Sequence, residues 1–439
     1  MKHLISILAL ALCLGACSDP KEEPNDEPIV EPIVDPDPEP EPDPEPEPTV
    51  YPNEFIAATM NITTDGGAPI VSKEDYVKCT ISLSHSGEKE WELANVPGGI
   101  RGRGNSSWLW YDKKPYRIKF DKKQSLMGLG KAKSWVLLAE YRDPTDLMNA
   151  FVFELAQMMD MPYTNHNRYV EVTLNGDYIG LYHLTEQVQQ GDNRVAVDEM
   201  TGYLIQLDRD DGPELAPDAG DNFWSEVYRM PVCVKNPEDL GAEGLAKAKS
   251  ELAVLETAIR KGDYKEVCKL IDIQTMIKFL IVQELVYNVE LDAPRSMYMH
   301  KDVGGKWAMG PLWDFDAGFD FDWATMTTGH NYFEDYRELV MGTNPATGQG
   351  TGYHIPGFFS ELFFMPEFVS DYKTTWKRVS PMVAAAMDKA EMYYGANIDA
   401  FAREAKRWPI DRDYYKQIPR LRAWLNNRVV YLNNITTNY

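Results

Sequence analysis

The stretch "GPLWDFDAGFDFDW", Gly310 to Trp323, constrains the fold more than any other part of the chain. Asp314, Asp316, Asp320 and Asp322 alternate there with Trp313, Phe315, Phe319 and Phe321. The aromatic residues draw the segment inward. Like charges resist burial unless something positive sits among them. The expectation is a divalent metal held by this turn. The plain alternative, a solvated acidic turn, leaves its aromatic neighbours without a reason.

The chain begins "MKHLISILALALCLGACSDPKEE". Lys2 and the apolar run Leu4 to Leu14 read as a signal peptide, too short to span a bilayer. "LGAC" resembles a lipobox, which would make Cys17 the lipidated first residue of the mature protein; an incidental cysteine behind a plain signal peptide is the other reading. Lys21, Glu22 and Glu23 resemble the export signal of some Gram-negative surface lipoproteins. The expected place is therefore the outer membrane or cell surface, with periplasmic display as the alternative. Membrane contact would be through the lipid anchor only. No later stretch has the roughly 18 consecutive apolar residues of a transmembrane helix.

Asp19 to Val50 is Pro-acidic and of low complexity. Such a segment cannot bury a core, and its charges push it into an extended stalk, roughly 90 Å long at about 3 Å per residue. It carries 13 Asp and Glu against one Lys, half of the net charge of −24. The remaining body is mildly acidic, which argues against sequence-independent nucleic-acid binding. Beyond Cys13 and Cys17 only Cys79, Cys233 and Cys268 remain, an odd set without close spacing. A disulfide scaffold or zinc ribbon is excluded, and the seven histidines include no HExxH.

The body reads as α+β. "YVKCTISLS" alternates like a half-buried strand, "WELANVPGGIRGRGNSSW" is a strand running into a Gly-rich loop, and "KKPYRIKFD" and "SWVLLAE" are strands. "DPTDLMNAFVFELAQMMDM" predicts a helix capped by Asp143 or Thr145. "RYVEVTLNGDYIGLYHLTEQV" predicts a hairpin turning at Asn175-Gly176, and "TGYLIQLDRD" one more strand. From about Glu238 the pattern turns helical, with "DIQTMIKFLIVQELVYNVE" as a central buried helix and a hairpin at Gly304-Gly305. The expected organisation is a signal peptide over 1–17, a stalk over 18–50, and one domain over 51–439. That domain would have a β-rich N-lobe to about 235 and a helical C-lobe from about 236.

Four elements carry chemistry. "GGIRGRGNSS" frees backbone N–H groups for phosphate oxygens, and Arg101 and Arg103 add charge; it is neither a Walker A loop nor GxGxxG. Lys119 sits mid-strand in "YRIKF", with Lys113 and Lys114 close by as alternatives. Glu154, on the following helix, is the candidate carboxylate to hold that lysine. Asp292 lies in a loop between helix and strand, and "LWDFDAGF" ends a hairpin with an aspartate. Phosphoryl transfer needs phosphate donors, a lysine, a metal-holding aspartate and an aspartate at the acceptor, and the elements stand in that order.

"RGRGNSSW", "KKPYRIKF", "LLAEYRDPTDLMNAFVFELA", "NGDYIGLYHLTEQV" and "PLWDFDAGF" together resemble the CotH kinase family, over about Ile70 to Phe319. The resemblance implies an atypical two-lobed protein-kinase-like fold that uses ATP with Mg²⁺ or Mn²⁺ to phosphorylate proteins on Ser or Thr. By position, Asp292 resembles the catalytic-loop aspartate, Asp314 the metal-binding aspartate and Asp316 a second metal contact, and Lys119 resembles the nucleotide lysine. The chain departs from the pattern in "DAPRSMY". Ser296 and Met297 stand where kinases carry a metal-binding Asn, with Arg295 just before. A binding module built around structural Ca²⁺ is the competing reading. An EF-hand is excluded, because Thr325 stands where its last ligand would be. An aspartyl-phosphate phosphatase fits poorly, since only helices follow "DFDAG".

Overall fold

The computed structural model describes residues 50–439, except 86, 217–219, 326–330 and 411. The signal segment with Cys17, and the stalk to Thr49, lie outside the described residues.

Strands β1 (Ala58–Thr64), β2 (Val77–Ser84), β3 (Leu93–Gly102), β4 (Tyr116–Gln124) and β5 (Ala132–Leu138) follow one another, with the single-turn helix α1 (Ser106–Leu109) between β3 and β4. Helix α2 (Met148–Met158) then leads to the hairpin β6 (Arg168–Leu174) and β7 (Asp177–Glu186). The seven strands close into a barrel of order β1-β2-β3-β4-β5-β7-β6, sealed by parallel pairing of β6 with β1. Alternation drives the closure: β1 buries every second residue, and Met60, Ile62, Ile81, Ile100, Ile118 and Trp135 fill the interior. Asn175 and Gly176 have φ of 52° and 86°. Two positive values are what a two-residue hairpin turn of this hand requires.

A second, antiparallel sheet is built from β8 (Tyr203–Leu207), β9 (Asn222–Trp224), β10 (Pro231–Asn236), β11 (Met297–Lys301) and β12 (Ala308–Met309), in the order β12-β11-β8-β10-β9. Between β10 and β11 the chain forms α3 (Gly241–Arg260), α4 (Tyr264–Leu270) and α5 (Ile273–Leu285). After β12 come α6 (Gly357–Ser360), α7 (Pro366–Val379), α8 (Met382–Gly395), α9 (Ile398–Arg407) and α10 (Tyr414–Ile435). α5 is the buried helix that its composition predicts. Asp272 caps it through Gln274 N at 3.0 Å, and Glu284 near its end pairs with Arg428 of α10 at 2.8 Å. Among the described residues no helix is long and apolar enough to cross a membrane.

The α+β class holds, but a two-lobed layout divided near 235 and 236 does not describe the chain. That boundary cuts the second sheet, because β8 pairs with both β10 and β11. The sheet and the helices share one core with α2. The described residues form one unit, in which the barrel strands keep a core of their own and α2 packs with the second sheet and the helices.

The barrel is joined to the helices by buried charge. Lys113, between α1 and β4, reaches Glu404 of α9 at 2.8 Å and the carbonyl of Leu181 at 2.5 Å. Glu404 also accepts from Leu181 N at 2.8 Å. Arg412 pairs with Asp146, and its other nitrogen donates to the carbonyls of Glu140 and Tyr141 at 3.1 and 3.2 Å. Tyr414 completes the set, donating to Asp146 at 2.5 Å. Removing one partner of such a network leaves a charge buried and unpaired. Arg412→Ala is expected to destabilise the fold by about 3–5 kcal/mol, read as a lower urea midpoint by far-UV circular dichroism. An unchanged midpoint would contradict this account.

Candidate active site

A cleft of about 1330 Å³ opens between the outer face of the barrel and the second sheet. One wall is basic. β3 and β4 pair so that Arg101 lies opposite Arg117 and Gly99 opposite Lys119. Like charges directly opposite one another repel. A Cβ on Gly99 would meet Tyr76 at 3.0 Å, so glycine lets that ring lie close to the strand. Its face carries Arg101 at 5.2 Å and Lys119 at 6.0 Å. Arg103, past the end of β3, stacks over Trp313 at 5.4 Å and so reaches the acidic turn. Ion pairs along the cleft include Arg142–Asp316, Arg295–Asp210 and Lys235–Asp211; Arg101, Arg103, Arg117 and Lys119 join none among the described residues. The Nε atoms of Arg101 and Arg117 are buried without partners. Burial, then Arg101 and Arg103, hold the Arg117 guanidinium below its ordinary pKa.

The facing wall is acidic. Asp314 accepts a hydrogen bond from Ser296 Oγ at 3.2 Å. Burial, and then Asp316, push its carboxyl up to about 7. Glu290 lines the cleft as well, and burial followed by Asp314 and Asp316 raises it well above the usual carboxylate range. Asp316 is gripped by Arg142 through both oxygens, Nε to Oδ2 at 3.1 Å. Burial works against the Arg142 charge and Asp316 more than offsets it. Asn149 of α2 sets the turn, accepting from Phe315 N at 3.0 Å and donating to Glu140 at 3.1 and 3.3 Å. Asp314 and Ser296 both sit at positive φ, 65° and 54°, backbone strain of the kind that gathers at functional sites. Ser296 is pinned by Asp208, which accepts from its backbone N at 2.9 Å.

The structure brings together Arg101, Arg103, Lys119, Asp314 and Asp316. Lys113 is buried elsewhere, and Lys114 donates to the Trp108 carbonyl at 2.7 Å, so of the three lysines Lys119 lines the cleft. Two expectations need correction. Asp292 is outside the cleft; its Oδ1 accepts from His354 N at 2.6 Å. The short helical turn Val289–Leu291 sends Glu290 into the cleft and Asp292 away from it. Glu154 does not hold Lys119 either. It accepts from Asn167 at 2.9 Å and Tyr393 at 3.1 Å, and it pairs with Lys389 at 3.4 Å. The four aspartates also do not share one ion. Asp320 accepts from Asp335 N at 2.5 Å and Asp322 from Ala324 N at 2.9 Å, so both fold their own loops. Sequence reasoning missed Glu290, Arg117 and Arg142. Arg117 was legible, two residues before Lys119 and on the same strand face.

Among the described residues no three His, Cys, Asp or Glu side chains converge to cage a metal. Asp314, pushed up by burial and then by Asp316, fits Mg²⁺ or Mn²⁺ taking most of its oxygens from phosphate and water. Arg295, which the sequence brings close to this position, is drawn aside by Asp210 at 3.1 Å.

The family model of the CotH kinase protein matches residues 100–432, most of the chain. The chain belongs to the CotH kinase family. The resemblance read from its motifs is thereby borne out, and membership suggests a kinase-like function. No curated protein matches the chain. The family's match takes in the basic wall and the acidic turn, and also α10, well past the sequence motifs.

Beneath the CotH site, burial and then Asp316 push Glu140 from 4.5 up to about 8. Its native carboxyl keeps a proton that the unfolded chain releases near 4.5. This contribution to stability is full below that value and fades as pH rises toward 8. Glu140→Gln is therefore expected to flatten the fall in thermal midpoint between about pH 5 and 8. An unaltered slope would contradict a neutral Glu140.

Proposed function

We propose that the protein is a metal- and ATP-dependent protein kinase, moving the γ-phosphoryl of ATP to a Ser or Thr hydroxyl of a protein substrate at the cell envelope, where Cys17 would anchor it through lipid. The observation that carries the reading is the charge layout. Cations without an ion pair among the described residues line one wall, and carboxylates raised by burial and then by one another line the other. A metal-bound triphosphate would bring counter-charge to both walls.

Arg101, Arg117 and Lys119 would hold the phosphate chain, with Arg103 reaching across to its transferable end. Guanidinium groups suit this because their planar forks match phosphate oxygens. Asp314 would hold Mg²⁺ or Mn²⁺. When bound, such a metal neutralises charge on the phosphate oxygens. Asp316, tied to Arg142, positions the turn. Glu290 would take the place that the family resemblance assigns to Asp292, accepting the acceptor's proton; a carboxylate raised above its ordinary range is a stronger base than an ordinary one.

The roles of the two neighbouring carboxylates separate cleanly. Glu290→Gln is expected to lower kcat for ATP turnover by about 10²-fold or more while nucleotide affinity stays within a few fold. Asp292→Asn is expected to leave kcat nearly unchanged. The reverse pattern in a turnover assay with Mn²⁺ would restore Asp292 and sink this assignment.

A further inference from the structure

We infer that the basic wall binds linear inorganic polyphosphate, laid from the Asp314 end of the cleft to the β4–β5 hairpin. The inference rests on the phosphoryl-transfer reading at the Asp314 end alone, and the hairpin end stands without it. The wall outruns what a triphosphate needs. From Arg117 to Lys123, β4 runs about 20 Å at ~3.3 Å per residue, and Lys123, Lys131 and Lys133 continue the lining into the hairpin. All three are exposed. Lys131 and Lys133 have no ion pair among the described residues. Lys123 meets Asp192 at 3.6 Å, but these side chains are 60% and 88% exposed, a pair worth little in water.

Arg194 joins the two ends of the row. It is 7% exposed, stacked over Trp135 at 4.5 Å, and its Nε is buried without a partner. Its Nη2 reaches the carbonyl of Ser134 at 3.5 Å, and Ser134 lies opposite Lys119 in the β4–β5 register. Asp121, the acidic residue on this part of β4, is not among the residues lining the cleft. Across the cleft, Asp208 is taken up by backbone N–H groups of Asp210, Asp211 and Ser296, Asp210 by Arg295 and Asp211 by Lys235. A row of cations at strand spacing suits a polymer with charge on every unit. An extended acidic peptide suits it less, because successive side chains point to opposite faces and half of its charges turn away from a flat wall.

The test is titration of the full chain with tripolyphosphate, with polyphosphate of about ten units, and with poly-glutamate of equal charge. The variant is Lys123→Glu with Lys131→Glu and Lys133→Glu. Lys261→Glu with Lys265→Glu and Lys269→Glu, away from the cleft, makes the same change in net charge. The longer polyphosphate is expected to bind at least about tenfold more tightly than tripolyphosphate, and that advantage should vanish in the cleft variant and persist in the control. ATP affinity should be equal in both. Equal affinity for short and long chains, equal loss in both variants, or equally tight poly-glutamate would overturn the inference. A failure to bind ATP with polyphosphate binding intact would count against the phosphoryl-transfer reading and leave this one standing.

Discussion

The structure depends on one short junction. Residues 140–146 carry the chain from β5 to α2, and Glu140, Arg142, Asp143 and Asp146 are all buried. Each must find its counterpart in a different part of the molecule. Asp143 caps α2, accepting from Met148 N at 2.7 Å. Asp146 takes Arg412 from the segment before α10. Glu140 takes Asn149 and His183, and Arg142 takes Asp316 of the acidic turn. A buried charge or polar group without a partner is costly, so the barrel, the helices and the turn can satisfy the junction only when all three are in place together.

The same junction sets the site. Arg142 neutralises Asp316, and Asp314 and Glu290 line the cleft beside it without an ion pair among the described residues. The barrel wall has the complementary imbalance, with Arg101 and Arg117 forced opposite each other by strand register. Neither wall is comfortable alone. A ligand that brings both signs of charge would relieve both, as the metal-bound phosphate proposed above would.

Much of this was legible from local pattern. Alternation gave β2 and β4, a short apolar run gave β5, Asn175-Gly176 gave the hairpin, and continuous apolarity gave α5. Asp314, Asp316, Arg101, Arg103 and Lys119 were found because residue type and order carry chemistry. What local pattern could not show was which side of a turn a residue faces. Glu290 and Asp292 are two residues apart in a loop with no strand or helix period to orient them, and a single helical turn decides between them. Glu154 looked free on an amphipathic helix, yet α8 and the β6 entry cover it through Tyr393 and Asn167. The barrel's closure by parallel pairing of β1 with β6, and the second sheet that joins β8 to β11, are long-range pairings that no local period encodes.

The central claim is that one cleft needs metal and nucleotide together. The most direct test is a thermal shift of the chain with Mn²⁺ alone, Ca²⁺ alone, ATP alone, and Mn²⁺ with ATP, beside Asp314→Asn. Binding to the native state raises its midpoint by mass action. The account predicts a joint shift larger than the two separate shifts combined, absent in Asp314→Asn although that variant still folds. Stabilisation by Ca²⁺ alone with no effect of ATP, or a joint shift that survives Asp314→Asn, would contradict it.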